Sequence, residues 1–319
     1  MSKLLIEAKD LTVHFPIDRR LLQAVTKVSL QIDEGETLGL VGESGSGKST
    51  TGRSILRLEP RATGDVTFEG RSLFAMNKQE LKAFRKSAQM IFQDPYASLN
   101  PRMSARELIA EPLDIHRLEY GKAREARLRE LIELVGLSPH HLGRFPHEFS
   151  GGQRQRLGIA RALAARPKFL VCDEPISALD VSVQAQIINL LRQFQEELGL
   201  SYLFITHDLR VVKYLSHRVA VIYLGHIIEL AKADELFSSP LHPYTQALLS
   251  AIPIPDPILE KKRTRIFLKD EPPSPFAPPP GCVFCSRCPK AEEICFLERP
   301  ALKILSPGHQ VACHFAAKF

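Results

Sequence analysis

Between residues 4 and 41 short apolar runs alternate with turn residues: Leu4 to Ile6, Leu11 to Phe15, Val28 to Ile32, then Glu34 and Gly35. This spacing predicts several β-strands. The unbroken run at residues 37–41 predicts a buried strand, residues 51–56 a helix, and residues 64–70 a further hairpin strand. Residues 104 to about 136 read as helical. Leu128, Leu131, Ile132 and Val135 recur at i, i+3, i+4 and i+7, and Gly136 is placed to close that helix. Residues 167–175 predict an apolar strand ending in two carboxylates. Residues 202–206 predict another, with His207 and Asp208 at its C-terminal end. In an open parallel sheet the carboxyl ends of strands are where ligands collect. The Pro-rich residues 237–255 and 271–281 predict an extended, semi-rigid connection.

Chemistry enters with the stretch between the first predicted buried strand and its helix. Residues 42–50, GESGSGKST, match G-x-x-x-x-G-K-[ST] at Gly42, Gly47, Lys48 and Ser49. Glycines let successive N–H groups turn onto phosphate oxygens, and the helix that follows adds its positive end. Lys48 supplies a point charge to the β- and γ-phosphates, and Ser49 a hydroxyl for Mg²⁺. Ser150 precedes Gly151, Gly152, Gln153 and an alanine-rich helical run, which predicts a capped helix and a second anion site free for another nucleotide. Strand alternation points Asp173 and Glu174 in opposite directions, one toward Mg²⁺ through water and the other toward an attacking water. Gln93 closes a predicted strand and begins a Pro- and Asn-rich turn. Phe15 could stack on a base or simply pack in a core.

The 319 residues suffice for one large domain with an appendage, or for two domains. Lys and Arg exceed Asp and Glu by 42 to 36 without a long basic run, so a solvated, mildly basic surface is expected rather than a nucleic-acid site. No run of 18 apolar residues occurs, and charges interrupt the N-terminus too early for a signal peptide, so a cytoplasmic location is expected. Five of six cysteines crowd between Cys282 and Cys313, which in a reducing compartment suggests metal before disulfides. An iron–sulfur cluster, zinc and free thiols all stay open at this point.

Taken in order, GESGSGKST, Gln93, SGGQ, CDEP, SALD and His207 resemble the nucleotide-binding subunit of the ABC transporter family over residues 4–255. The resemblance implies an α/β P-loop NTPase of ABC type: a RecA-like parallel sheet, an antiparallel β subdomain and a helical subdomain at about 95–165. It implies a nucleotide-binding domain over 1–255 and a connection with a cysteine module over 256–319. Phe15 would stack on adenine, and Gly42, Ser44, Gly45, Gly47, Lys48, Ser49 and Thr50 would hold the phosphates of ATP. Ser49 and Gln93 would bind Mg²⁺, Gln93 would also contact the attacking water, and Asp173 would hold Mg²⁺ through water. Glu174 would polarise that water and His207 would bridge it to the γ-phosphate. Ser150, Gly152 and Gln153 would touch ATP held by an opposing subunit, and Asp180 would lie between the two sites. Phe149, Cys172 and Ile176 depart from the family's usual residues without removing a reacting group.

The tail is similar to the C-terminal extension of the oligopeptide and dipeptide branch of ABC importers. Gly281-Cys282, Arg287-Cys288-Pro289, Cys295, Pro300 and Ala312-Cys313-His314 carry that likeness. It implies a [4Fe–4S] cluster on Cys282, Cys288, Cys295 and Cys313, with Cys285 as an alternate ligand and zinc as the alternative metal. It implies an ATPase at the cytoplasmic face of the membrane that powers peptide import. The partners would be an identical or paralogous ATP-binding subunit, two transmembrane permease subunits and a periplasmic or extracellular solute-binding protein. Import of nickel or another small solute is the nearest rival, and a soluble ATPase acting on nucleic acid a more distant one.

Overall fold

The structure is a computed structural model that describes residues 3–253, 256, 260, 265–268 and 271–316. Two compact units interleave along the chain. The first takes residues up to Ile6, Ile32–Glu36 and Phe68–Ile205; the second takes Glu7–Gln31, Thr37–Thr67 and everything from Thr206 on.

Most of the first hairpin belongs to the second unit. Its strands, Leu4–Ile17 and Arg20–Asp33, are each 14 residues long where the sequence pattern gave three short ones. Polar residues that read as breaks are absorbed instead. Asp10 and Lys27 both take φ of 49°, and their N–H groups donate to Ser29 Oγ and Thr12 Oγ1 at 3.0 Å across the pair. The strands therefore bend without ending. Asp18 and Arg19, both at positive φ, turn the hairpin with the twist such strands favour. Strand Thr63–Phe68 lies on the other side of Leu4–Ile17.

Strand Thr37–Val41 is buried throughout and pairs in parallel with Arg218–Tyr223, Leu38 against Arg218 through Val41 against Val221. His226–Lys232 returns antiparallel, and the tail adds His309–Val311 and Lys303–Ser306 to that edge. Val219, Val221, Tyr223, Leu236, Tyr244 and Phe284 share one core cluster.

Over its described residues, 237–253, the connection expected over residues 237–255 is not extended, and 254 and 255 lie outside the described residues. It holds the end of helix Ala233–Ser238 and the helix Pro243–Ser250. Pro243 occupies the first helical position, where a missing N–H costs nothing, and the Tyr244 N–H donates to His242 Nδ1 at 3.1 Å. Tyr244 and Leu236 are fully buried, so apolar anchors outweigh the proline signal. Residues 271–281 have no helix or strand.

In the first unit, Ala88–Ile91, Phe169–Asp173 and Ser201–Ile205 run parallel in that order. The helical pattern at 104–136 resolves into two helices, Ala105–His116 and Gly121–Leu134. Arg117 at φ 54° ends the first, and the Leu118 N–H bonds back to Leu113 O at 2.9 Å. This is a reversing cap that periodicity alone does not signal. Helix Gly151–Ala164 packs against both.

Candidate nucleotide site

In the second unit, buried strand Thr37–Val41 delivers the glycine loop to helix Lys48–Ile55, which begins three residues earlier than its apolar pattern indicates. Gly47 caps it at φ 102°, ψ 5°. A Cβ on Gly47 would lie 2.2 Å from Ala24 O, and one on Gly42 would lie 2.2 Å from Ile222 O, so both positions accept only glycine. Lys48 is 5% exposed, and its Nζ donates to Gly42 O at 2.9 Å and Glu43 O at 2.8 Å. The ammonium is thereby held inside the curve of the loop. Ser44 and Gly45 are exposed at the tip, and Ser49 and Thr50 are half-buried on the first turn. A cation held by two backbone carbonyls at the positive end of a helix is an arrangement that suits an anion.

Phe15 is half-buried, and the guanidinium of Arg61 sits 5.6 Å from its ring centroid. One ring face thus holds a cation–π contact. His207 is exposed just past strand Ser201–Ile205. Asp208 caps the next helix by accepting the Arg210 N–H at 2.9 Å, and its pair with Arg210 holds its carboxyl below the usual range although burial opposes this.

In the first unit, the strand Phe169–Asp173 ends with Asp173 fully buried. Glu174 then leaves the strand at φ 45°, its N–H donating to Ile205 O at 2.9 Å. Glu174 therefore does not continue the regular backbone of the strand. Gln93 Nε2 donates to Glu174 Oε2 at 3.1 Å, bringing together two residues 81 apart. Ser150 caps helix Gly151–Ala164 as the sequence predicts, and Gln153 completes a capping box: the Ser150 N–H donates to Gln153 Oε1 at 3.0 Å. The S-x-x-Q spacing carried that signal. A Cβ on Gly152 would meet Val183 Cγ1 at 2.4 Å. Asp180 is exposed at the head of helix Val181–Leu198 without a side-chain cap bond. Cys172 is fully buried and its thiol is pushed up by burial, as expected of a small core residue.

The five tail cysteines are free thiols lining one apolar cavity of about 10 Å³. Burial pushes Cys282 up to about 12 and raises Cys285, Cys288 and Cys313. Soft donors in this number suit iron–sulfur or zinc. Among the described residues, however, no three His, Cys, Asp or Glu side chains are grouped to hold an ion. The cluster expected on Cys282, Cys288, Cys295 and Cys313 is therefore not borne out.

Sequence reasoning also missed Glu43, Tyr244 and Arg287. Glu43 lies inside the glycine loop, its carboxylate 2.9 Å from Arg287 Nη1 and its N–H 3.0 Å from the Tyr244 hydroxyl. No local pattern links residues 244 positions apart.

Residues 25–177 match the ABC transporter family model, and residues 228–295 match the oligopeptide/dipeptide transporter C-terminal region. The oligopeptide transport ATP-binding protein OppF of Escherichia coli K12 is 53% identical, with 98% of this chain and 96% of that protein covered. The corresponding AppF of Bacillus subtilis 168 is 51% identical, with 97% of each covered. Among solved structures, a dimeric post-hydrolysis state of an ATP-binding cassette bound to ADP and Pi is 30% identical. Its TM-score is 0.66, and 72% of this chain and 99% of that chain are covered. Likeness of this extent means that the chain belongs to the ABC transporter family, among the ATP-binding proteins with an oligopeptide/dipeptide transporter C-terminal region.

Proposed function

We propose that this chain is the ATPase of a peptide importer and works as a head-to-tail dimer with an identical or paralogous subunit. Family membership makes it an ATP hydrolase coupled to transport. The observation that carries the reading is Lys48, buried within its glycine loop at the head of a helix and held by two loop carbonyls. Peptide as cargo is supported by the tail's family match and by OppF and AppF being oligopeptide transport proteins.

In this reading the loop amides at 42–47, Lys48, Ser49 and Thr50 hold the β- and γ-phosphates, and Phe15 stacks on the adenine. Glu174 polarises the hydrolytic water, Gln93 orients the Glu174 carboxylate through the bond it already makes, and His207 stabilises charge on the γ-phosphate. Mg²⁺ neutralises phosphate charge; the hydroxyl of Ser49, the amide oxygen of Gln93 and the carboxylate of Asp173 are oxygen donors of the kind it takes. Ser150, Gly152 and Gln153 present a positive helix end to the partner's ATP, with Asp180 between the two sites. The dimeric relative bound to ADP and Pi supports that arrangement. Closure and release then gate two permease subunits, fed by a solute-binding protein, through the differential affinity of ATP and ADP for the closed state. Among the described residues no helix is long and apolar enough to cross a membrane, which agrees with peripheral attachment at the cytoplasmic face.

A metal on the cysteine module is the finer part of the proposal, resting on the donor set alone, and no step passes through it. The test is ATP-dependent peptide uptake by the reconstituted transporter, with iron, sulfide and zinc content measured on anaerobically purified chain. Loss of uptake in Lys48→Ala is expected, and full uptake would overturn the reading. About four irons and four sulfides per chain would support a cluster; no metal would remove it and leave the ATPase standing.

A further inference from the structure

The cysteine module is built onto the phosphate loop. Arg287 lies in the short turn Cys285–Arg287, and its side chain is 8% exposed. Its Nη1 reaches both carboxylate oxygens of Glu43, at 3.2 and 2.9 Å, and the Tyr223 hydroxyl at 3.3 Å. Three aromatic rings brace this contact edge to face, with Tyr223–Tyr244, Tyr223–Phe284 and Tyr244–Phe284 centroids 4.7, 5.3 and 5.4 Å apart. The Tyr244 hydroxyl accepts the Glu43 N–H at 3.0 Å, and helix Pro243–Ser250 that carries it is fixed from behind: buried Glu229 accepts the N–H groups of Leu241 and His242. Glu43 is thus gripped at its backbone and its side chain, while its carbonyl oxygen carries Lys48.

A carboxylate at the second position of a loop that binds polyphosphate repels its ligand unless it is paired. We propose that Arg287 is a positioning residue for nucleotide binding: it neutralises Glu43 and fixes the loop that carries Lys48, so the C-terminal module sets the affinity of the site. The proposal rests on the phosphate-loop reading above.

The test is equilibrium binding of a fluorescent ATP analogue to the full chain. Arg287→Gln is expected to weaken binding by about tenfold, the scale of one lost charged hydrogen bond. Arg287→Lys keeps the charge and should stay within about threefold of wild type. In a Glu43→Gln background, Arg287→Gln should cost less than about threefold, because no unpaired carboxylate remains. A purely structural Arg287 would cost the same in both backgrounds, and that result overturns the proposal, as does an Arg287→Gln affinity within about twofold of wild type. Should Arg287→Gln not fold, Tyr244→Phe reads the same grip from the backbone side: about threefold weaker binding is expected, and unchanged binding overturns the proposal. Lys48→Ala separates the two levels. If it binds as wild type, the phosphate-loop reading fails; if it loses binding while Arg287→Gln does not, only Arg287 is reassigned.

Discussion

Replacing Gly47 by Ala tests the loop most directly, with Gly45→Ala as its internal control. Both glycines have positive φ, 102° and 76°, so both substitutions carry the backbone cost of that region, about 1–2 kcal/mol. Their surroundings differ. A Cβ at 45 meets nothing within 4 Å, whereas at 47 it falls 2.2 Å from Ala24 O, well inside the 3.4 Å at which ordinary contact begins. The obstacle is backbone, so no side chain can swing aside and the loop itself must shift, adding about 1–3 kcal/mol. Gly47→Ala therefore costs about 2–5 kcal/mol against about 1–2 for Gly45→Ala. Expressed as lost nucleotide affinity, that is about 30-fold to several thousand-fold against about 5- to 30-fold. Titration of a fluorescent ATP analogue into the full chain, beside the thermal midpoint of each ligand-free variant, reads both. Equal losses for the two variants, or a Gly47→Ala affinity within about twofold of wild type, would refute the argument from Ala24.

If Glu174 acts as the proposed general base, Glu174→Gln should lower ATP turnover at least about 100-fold while ATP still binds; unchanged turnover would sink the assignment. Ser150→Ala removes the cap of helix Gly151–Ala164 and should cost about 1 kcal/mol in urea unfolding, with a null result arguing against the capping box. Gly152→Ala forces a Cβ to 2.4 Å from Val183 Cγ1 and should cost about 1–3 kcal/mol. Here the obstacle is a side chain, so adding Val183→Ala should recover part of the loss, and purely additive losses would contradict the packing. His226 lies 3.1 Å from Arg299 Nη1, and burial, followed by the Arg299 and His14 charges, lowers it from 6.5 to about 4. Between those values the unfolded chain binds the extra proton, so stability should fall as pH drops from 6.5 toward 4. Urea midpoints at the two ends of that window should differ less in His226→Gln than in wild type, and an identical difference would refute the assignment.

The chemistry of this chain is legible where it is local. Spacing within one loop identifies Gly42, Gly47 and Lys48, and an S-x-x-Q step identifies the Ser150 cap, because each depends on a few consecutive residues and the backbone they form. Periodicity finds the buried faces of Leu128, Leu131 and Ile132 for the same reason. It fails at Arg117, where a left-handed residue splits one helical pattern into two, and at Asp10 and Lys27, where a cross-strand hydroxyl turns an apparent break into a bend. Proline content misleads at Pro243, where a burial site for Tyr244 makes a helix of a proline-rich stretch. The sequence alone thus determined the glycine loop, the Ser150 cap and the family they imply. Only the tertiary structure decided that Gln93 bonds Glu174 and that Arg287 grips Glu43, since contacts between residues 81 and 244 positions apart exist only once packing has closed the chain between them.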